Sequence, residues 1–156
     1  MANTKPVGVA FSDPELTSGT TITGATIDST TIGATTAAAV TATTVTASTN
    51  LVVRSATVAA AGTTNANATT VAGGFTLVTA ADATKGVILT APVAGTVVII
   101  KNDDAANAIL KVYPNSGAAI NALTATTGAY SMAAKTSMML VAYSATQWYT
   151  LPLLAS

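Results

Sequence analysis

Short apolar runs separated by turn-forming residues dominate residues 55–156. The runs are rich in Val, Ile, Leu and aromatic residues, and Gly, Pro, Asn or Asp residues stand between most of them. They occupy residues 75–78, 86–90, 96–101, 108–113, 118–123, 137–143 and 147–151. Short strands at roughly 8–12-residue spacing with such turns are typical of a β-sandwich or barrel. We therefore predict an all-β protein in which residues 55–156 form a C-terminal antiparallel β-sandwich of jelly-roll type, the knob domain.

Residues 17–54 carry a different pattern, a low-complexity run of Thr, Ala, Gly and Ser with one aliphatic residue every five to six positions. A five-residue spacing drifts around a helix axis, and Thr and Ile favour pleated backbone over helix. The pattern indicates short strands, either in a β-solenoid or in an intertwined triple-stranded β-stalk. The spaced aliphatic residues include Ile22, Ile27, Ile32, Val40 and Val45.

Energetics favour the stalk, in which three chains share one core. The roughly six aliphatic side chains of residues 17–54 contribute about 1.5–3 kcal/mol each when fully buried. Ordering the backbone costs about 1–2 kcal/mol per residue, so one chain alone would not hold this segment in place. Three copies that point these side chains at a common axis remove exposed edges and create a core. We therefore predict a homotrimer whose interface is formed by Ile22, Ile27, Ile32, Val40 and Val45.

The first 16 residues read as an extended arm. Pro6 and Pro14 fix the backbone and remove two hydrogen-bond donors, which disfavours a helix or a central strand. The apolar side chains of so short a segment have no local partner. Two interpretations stay open, a loosely ordered tail and a peg that docks on a partner. If the arm docks, its contacts are made by Val7, Val9, Phe11 and Leu16.

The chain is almost free of charge. Six Lys and Arg residues face six Asp and Glu residues, so the formal net charge is zero, and charged residues make up only 8% of the chain. This balance gives no electrostatic footprint for nucleic acid or for an anionic membrane surface. It also removes the self-repulsion that keeps monomers apart. We expect protein partners, and neither nucleic acid nor membrane.

The mean hydropathy of +0.56 raises the question of a membrane span. Long stretches lack charge, but Thr, Gly, Ser and Asn interrupt each of them. None approaches the roughly 20 consecutive apolar residues of a spanning helix. The N-terminus has no apolar core of the kind that makes a secretory signal, so we expect synthesis and first assembly in a cytoplasm.

The sequence offers little material for catalysis. It contains no Cys and no His, which excludes disulfides, thiol chemistry and imidazole acid–base catalysis. Asp103 and Asp104 are adjacent in a predicted solvated hairpin turn, so their carboxylates would diverge rather than face each other across a substrate. Ser and Thr are abundant, but a nucleophile needs a base and no Ser-x-x-Lys arrangement is present. We expect a protein that is not an enzyme and that holds no cofactor and no metal.

Four segments of the knob domain carry a resemblance to a known group of proteins. They are residues 86–92 (GVILTAP), 95–102 (GTVVIIKN), 110–117 (LKVYPNSG) and 144–149 (SATQWY). With these segments the chain resembles a recurrent β-sandwich module of bacteriophage virion proteins, and residues 17–54 look like the Thr-rich stalks of the same group. Members of that group are capsid decoration (cement) proteins, head fibres and tail-fibre parts, and they are generally trimers.

The resemblance implies a structural role on a virus particle. At 156 residues the chain suits a decoration protein better than a long receptor-binding fibre. The implied partner is the major capsid (coat) protein of the same virus, and the implied location is the outer surface of the capsid.

Two other functions stay open at the level of sequence. One is a tail-fibre component or receptor-binding tip, although Trp148, the side chain best suited to a sugar platform, alternates with apolar neighbours in a late strand and is predicted to lie in the core. The other is an ice-binding protein, which the Thr array of residues 41–46 suggests. The spacing of the Thr residues is irregular, however, and does not support a flat face.

The predicted stalk gives a direct test. We expect Ile27→Asp to abolish the trimer, because it places unpaired charges on the shared axis. Light scattering coupled to size exclusion should show a mass near three times 15.3 kDa for the unmodified chain and a lower mass for the variant. A soluble, unaltered trimer of the variant would contradict the axial position of Ile27.

Overall fold

The structure is a computed structural model that describes residues 42, 44–71 and 73–151. The chain divides into two compact units, Met1–Thr46 and Ala47–Ser156, and all strands of the described part lie in the second unit. That part is all-β and contains no helix, which confirms the predicted class. Its strands are β1 (Ser55–Ala59), β2 (Thr69–Val71), β3 (Gly74–Thr79), β4 (Gly86–Leu89), β5 (Val97–Asn102), β6 (Leu110–Tyr113), β7 (Ala119–Ile120), β8 (Tyr130–Met132), β9 (Ser137–Ser144) and β10 (Gln147–Leu151).

The strands form two sheets, and the chain moves back and forth between them. The six-stranded sheet has the order β1-β3-β5-β9-β10-β7, and the four-stranded sheet has the order β2-β4-β6-β8. Strands β1 to β6 therefore alternate between the sheets, and each pair of strands makes one turn of a β-solenoid-like arrangement. The final strands then complete both sheets beside the last coil.

Strand directions differ from the predicted antiparallel jelly-roll arrangement. β1, β3 and β5 are parallel to one another, as are β2, β4 and β6. Antiparallel pairs occur where β9 joins β5 and β10 and where β8 joins β6. The cause is the crossover: a chain that visits the other sheet between two neighbouring strands returns in the same direction. Turn residues mark where a strand ends, but they do not say whether the next strand folds back or crosses over.

The core lies between the sheets and takes side chains from both. In β9 the inward positions Met138, Leu140 and Ala142 are buried, while the positions between them are partly exposed. Trp148 is completely buried, which confirms its predicted place in the core. Large side chains of this kind stabilise the fold by about 1.5–3 kcal/mol each. The fully buried members from the two sheets include Val71, Val78, Val87, Leu89, Val98, Ile100, Leu110, Val112, Leu140 and Trp148.

Asn102 is a buried polar side chain that holds the crossover between β5 and β6 in place. Its amide Nδ2 donates to the carbonyl oxygens of Ala108 at 2.9 Å, Met132 at 3.3 Å and Ala133 at 3.2 Å. Its Oδ1 accepts from the backbone N–H of Asp104 at 3.3 Å. The side chain is fully buried, so it satisfies backbone groups that water does not reach. It thereby joins the end of β5 to the β5–β6 crossover and to the end of β8.

We expect Asn102→Leu to lower the free energy of unfolding by about 1–3 kcal/mol or more, because it leaves buried carbonyl oxygens without a donor. Denaturant unfolding of the purified chain measures the change. Asn50→Leu is the matched control, since Asn50 is exposed and the same substitution there removes no buried donor. Equal stability of the two variants would contradict the role of Asn102.

Candidate functional site

The outer face of the six-stranded sheet is apolar, although it points away from the core. Pairing places Phe75 opposite Ile99, Ile99 opposite Met139, and Met139 opposite Leu151. This row crosses four strands without a polar side chain. Phe75 and Leu151 are exposed, and the two residues between them are half-buried.

A second row runs beside the first on the same face. Val97 pairs with Val141, and Val141 pairs with Tyr149. Tyr149 meets Tyr143 edge to face, with ring centroids 5.9 Å apart and an interplanar angle of 71°. Tyr143 is 75% exposed, the highest value on this face. We call the whole set the apolar face: Phe75, Val97, Ile99, Met139, Val141, Tyr143, Tyr149 and Leu151.

The outer face of the four-stranded sheet has a different character. Its first row contains Thr70, Ile88 and Tyr113, and the Tyr113 hydroxyl donates to the Thr63 carbonyl at 2.6 Å. In its second row the Lys111 ammonium donates to Ser131 Oγ at 2.9 Å. The two outer faces of one unit therefore differ, and only the six-stranded sheet presents contiguous apolar rows.

The apolar face is large enough to have a function. Neighbouring strands lie about 4.8 Å apart and same-face residues about 6.8 Å apart along a strand, so the eight positions of the apolar face cover on the order of 260 Å². Monomeric proteins rarely expose contiguous apolar patches larger than a few hundred Å². Lys101 borders the face, and its ammonium donates to the Lys135 carbonyl. The face itself carries neither a carboxylate nor a cation.

Sequence reasoning placed these residues in strands but missed their role. The signal was present: residues 97–100 (VVII) and 138–141 (MMLV) are apolar at every position. An unbroken apolar run is typical of a strand covered on both faces. In the structure the core covers only one face of these two strands, and the other face is the apolar face.

A second exposed apolar segment precedes β1. Leu51, Val52 and Val53 are exposed and lie outside the strands, and Val52 is 88% exposed. Three successive apolar residues with this exposure are unusual outside contact sites. The segment lies within the predicted stalk, and its described part, residues 44–54, contains no strand.

Most predicted site residues fall outside the described part of the chain. Val45 is the exception, and it is 71% exposed. The predicted trimer contacts Ile22, Ile27, Ile32 and Val40 and the predicted capsid contacts Val7, Val9, Phe11 and Leu16 lie outside the described residues. The structure therefore brings none of the predicted sites together, and they stay predictions.

The described carboxylates hold turns in place. Asp103 pairs with Lys135 at 3.3 Å, with both side chains partly exposed. Asp104 accepts from the backbone N–H of Ala108 at 2.9 Å and is only 4% exposed. The prediction of a solvated hairpin turn is therefore wrong for Asp104, because this loop crosses between the sheets and turns that carboxylate inward.

Asp82 fixes the turn before β4. It accepts from the backbone N–H groups of Lys85 at 2.7 Å and Thr84 at 3.0 Å, and from the Thr84 hydroxyl at 2.7 Å. The Lys85 ammonium lies 3.2 Å away. The backbone hydrogen bond from Lys85, followed by those from Thr84, holds the pKa of Asp82 well below its usual range. These bonds are local, so the shifted pKa reflects a turn.

Other candidate sites in the described residues are few. No group of three or more Asp, Glu, His or Cys side chains comes together there to hold a metal ion. The same residues include no helix of the length and apolarity needed to cross a membrane. A cavity of about 470 Å³ opens beside β8 and β9, and its lining, which includes Asn121, Tyr130, Met138 and Thr150, offers no acid–base pair.

The hydrogen bonds of Asp82 give a pH-dependent contribution to stability. Because its pKa is lowered in the folded state, this contribution is fully present above the unfolded value of about 3.9 and is lost as the pH falls below it. We expect the free energy of unfolding to fall more steeply from about pH 5 to about pH 3 in the natural chain than in Asp82→Asn, which keeps an acceptor but does not titrate. Urea unfolding at both pH values measures the difference, and parallel losses would contradict it.

Comparisons with protein-family models, with curated proteins and with solved structures found no match to this chain. The residues themselves must therefore carry any functional proposal. Among the described residues, the apolar face is the surface whose composition departs furthest from an ordinary solvent-exposed one.

Proposed function

We propose that this chain is a non-enzymatic structural protein whose apolar face is covered by another protein subunit in the working assembly. One observation carries the proposal. β5 and β9 are apolar on both faces, but the core of the chain covers only one face of each. A partner on the other face would remove that apolar surface from water and account for the composition of both strands.

In its concrete form, the proposal is a bacteriophage capsid decoration protein that binds the outer surface of the head shell as a homotrimer. The resemblance of residues 86–149 to virion modules and the zero net charge of the chain support it. In this proposal residues 17–54 wind into the trimer stalk, residues 55–156 form the knob, and the arm contacts the coat protein. The exposure of Val45 is compatible with a contact to a partner chain.

The proposed mechanism is mechanical and depends on several weak contacts acting together. Burying on the order of 260 Å² of apolar surface is worth about 6.5 kcal/mol. Association itself costs about 4–15 kcal/mol in lost freedom of motion, so one face gives at most a weak complex. A trimer that engages neighbouring coat subunits with three arms multiplies its contacts, which slows release from the shell.

We expect Tyr149→Asp to weaken self-association at least about tenfold, because it places a charge in the covered surface. Light scattering coupled to size exclusion should give a mass near three times 15.3 kDa for the natural chain and a smaller mass for the variant at equal concentration. Thr70→Asp is the matched control, since it adds the same charge to the outer face of the other sheet. Its mass should not change.

Cosedimentation with undecorated phage heads tests the second half of the proposal. The natural chain should bind the heads, and the chain lacking residues 1–16 should bind less. A monomeric natural chain, or equal masses for both Asp variants and the natural chain, would contradict assembly through the apolar face.

A further inference from the structure

Among the strands that the structure describes, β1 is an edge of the six-stranded sheet and carries no charge, Pro or bulge. The other edge of the six-stranded sheet, β7, has two residues, whereas β1 has five. Natural edge strands are commonly short, charged, interrupted by Pro or bulged, because an open edge pairs readily with another chain. The sequence of β1, Ser-Ala-Thr-Val-Ala, contains neither charge nor Pro, and its pairing with β3 has no bulge.

The hydrogen bonds of β1 show which backbone groups face outward. The carbonyl of Arg54 accepts from the N–H of Phe75 at 2.9 Å, and the N–H of Ala60 donates to the carbonyl of Thr79 at 2.7 Å. Bonding residues alternate along a strand, so the even positions of β1 bond to β3. The N–H and C=O groups of Ser55 and Thr57 therefore point to the free edge.

A neighbouring contact confirms this parity. The carbonyl of Ala59, the next odd position, accepts from the Thr69 hydroxyl at 2.7 Å instead of from a strand. The groups of Ser55 and Thr57 have no such partner among the described residues. The free edge thus offers two alternate residues, Ser55 and Thr57, each with both a donor and an acceptor.

The inner side of β1 is also incompletely covered. Ala56 and Val58 point toward the core but are only half-buried. Their pairing neighbours in β3, Thr76 and Val78, are 1% and 0% exposed. The core is therefore open at this end of the sheet, and a further strand would close it.

The chain contains a segment whose exposure and composition suit pairing with the free edge of β1. Residues 50–53 (NLVV) are exposed, uncharged and outside any strand, and their aliphatic side chains favour strands. They continue into β1 without a turn, so they cannot fold back beside the β1 of their own chain. The same residues of a second copy are not restricted in this way.

We propose that β1 of each copy takes residues 50–53 of a neighbouring copy as an added strand. The inference rests on the proposed homotrimer and adds a second contact to the apolar face. Such a contact is heterologous, with a different surface on each side, and it closes into a ring when three copies follow one another around an axis. Backbone pairing fixes direction and position, which apolar burial alone does not.

Thr57→Pro tests the added strand. Proline removes the outward N–H of residue 57 and leaves the bonds between β1 and β3 in place, and Pro is tolerated in edge strands where the N–H faces solvent. We expect about a tenfold or greater loss of self-association. Thr57→Val is the matched control, because it changes the side chain and keeps the donor, and its mass should equal that of the natural chain.

Hydrogen exchange on the natural chain provides a measurement that needs no variant. In the assembled protein the amide of Thr57 should be protected about tenfold or more over its value in the diluted monomer, while the amide of Val58, which bonds to β3, should be protected in both. An unprotected Thr57 amide in the assembly would overturn the proposal, even if Thr57→Pro failed to fold. Loss of assembly in Tyr149→Asp together with an intact Thr57→Pro assembly would overturn the added strand and leave the proposed function standing. A natural chain that stays monomeric would overturn both.

Discussion

The fold depends on one constraint: from β1 to β9, each strand is followed by a strand of the other sheet. Backbone groups at the crossings leave the ladder, and those that are buried need other partners. Asn102 supplies them at the β5–β6 crossing by bonding to three carbonyls and one N–H. The crossings also set the parallel direction of β1, β3 and β5. Because both sheets pack on one shared core, the outer face of each sheet points away from that core. The side chains on an outer face decide whether it is suited to contact with water or with a partner.

The sequence predicted strand existence better than strand pairing. The predicted bounds of β10, residues 147–151, are those of the structure. β4 and β9 were predicted within one residue at each end. β1, β2 and β8 were missed, because Ser, Ala and Thr dominate the first two and β8 has three residues. The predicted antiparallel direction of the strands was wrong for β1 to β6, because the partner of a strand is set by contacts that are distant in sequence. The burial of Asp104 was missed for the same reason: its partner, the Ala108 N–H, becomes inaccessible only when the crossover packs.

The apolar face could have been predicted from the sequence, if the outer face of each strand had been considered as well as the core face. Residues 97–100 are apolar at every position, which predicted a strand, and in the structure Val98 and Ile100 of that strand are buried. Val97 and Ile99 belong to the opposite side, where Val97 is exposed and Ile99 is half-buried. In a fold of two sheets, the shared core covers one face of each strand. A strand that is apolar on both faces therefore indicates that a further layer covers its other face.

In the proposed assembly the apolar face and the β1 edge do different work. Apolar burial is strong in sum but has no direction, so the face by itself would allow several relative positions of two copies. Backbone hydrogen bonds contribute less each, but a shift of one residue along β1 exchanges outward Thr57 for inward Val58 and places the bonding groups on the wrong side. The near absence of charge removes the other common means of setting register between subunits. In the proposed assembly, the β1 edge specifies the position of the neighbouring copy and the apolar face supplies the free energy of association. Both lie on the six-stranded sheet.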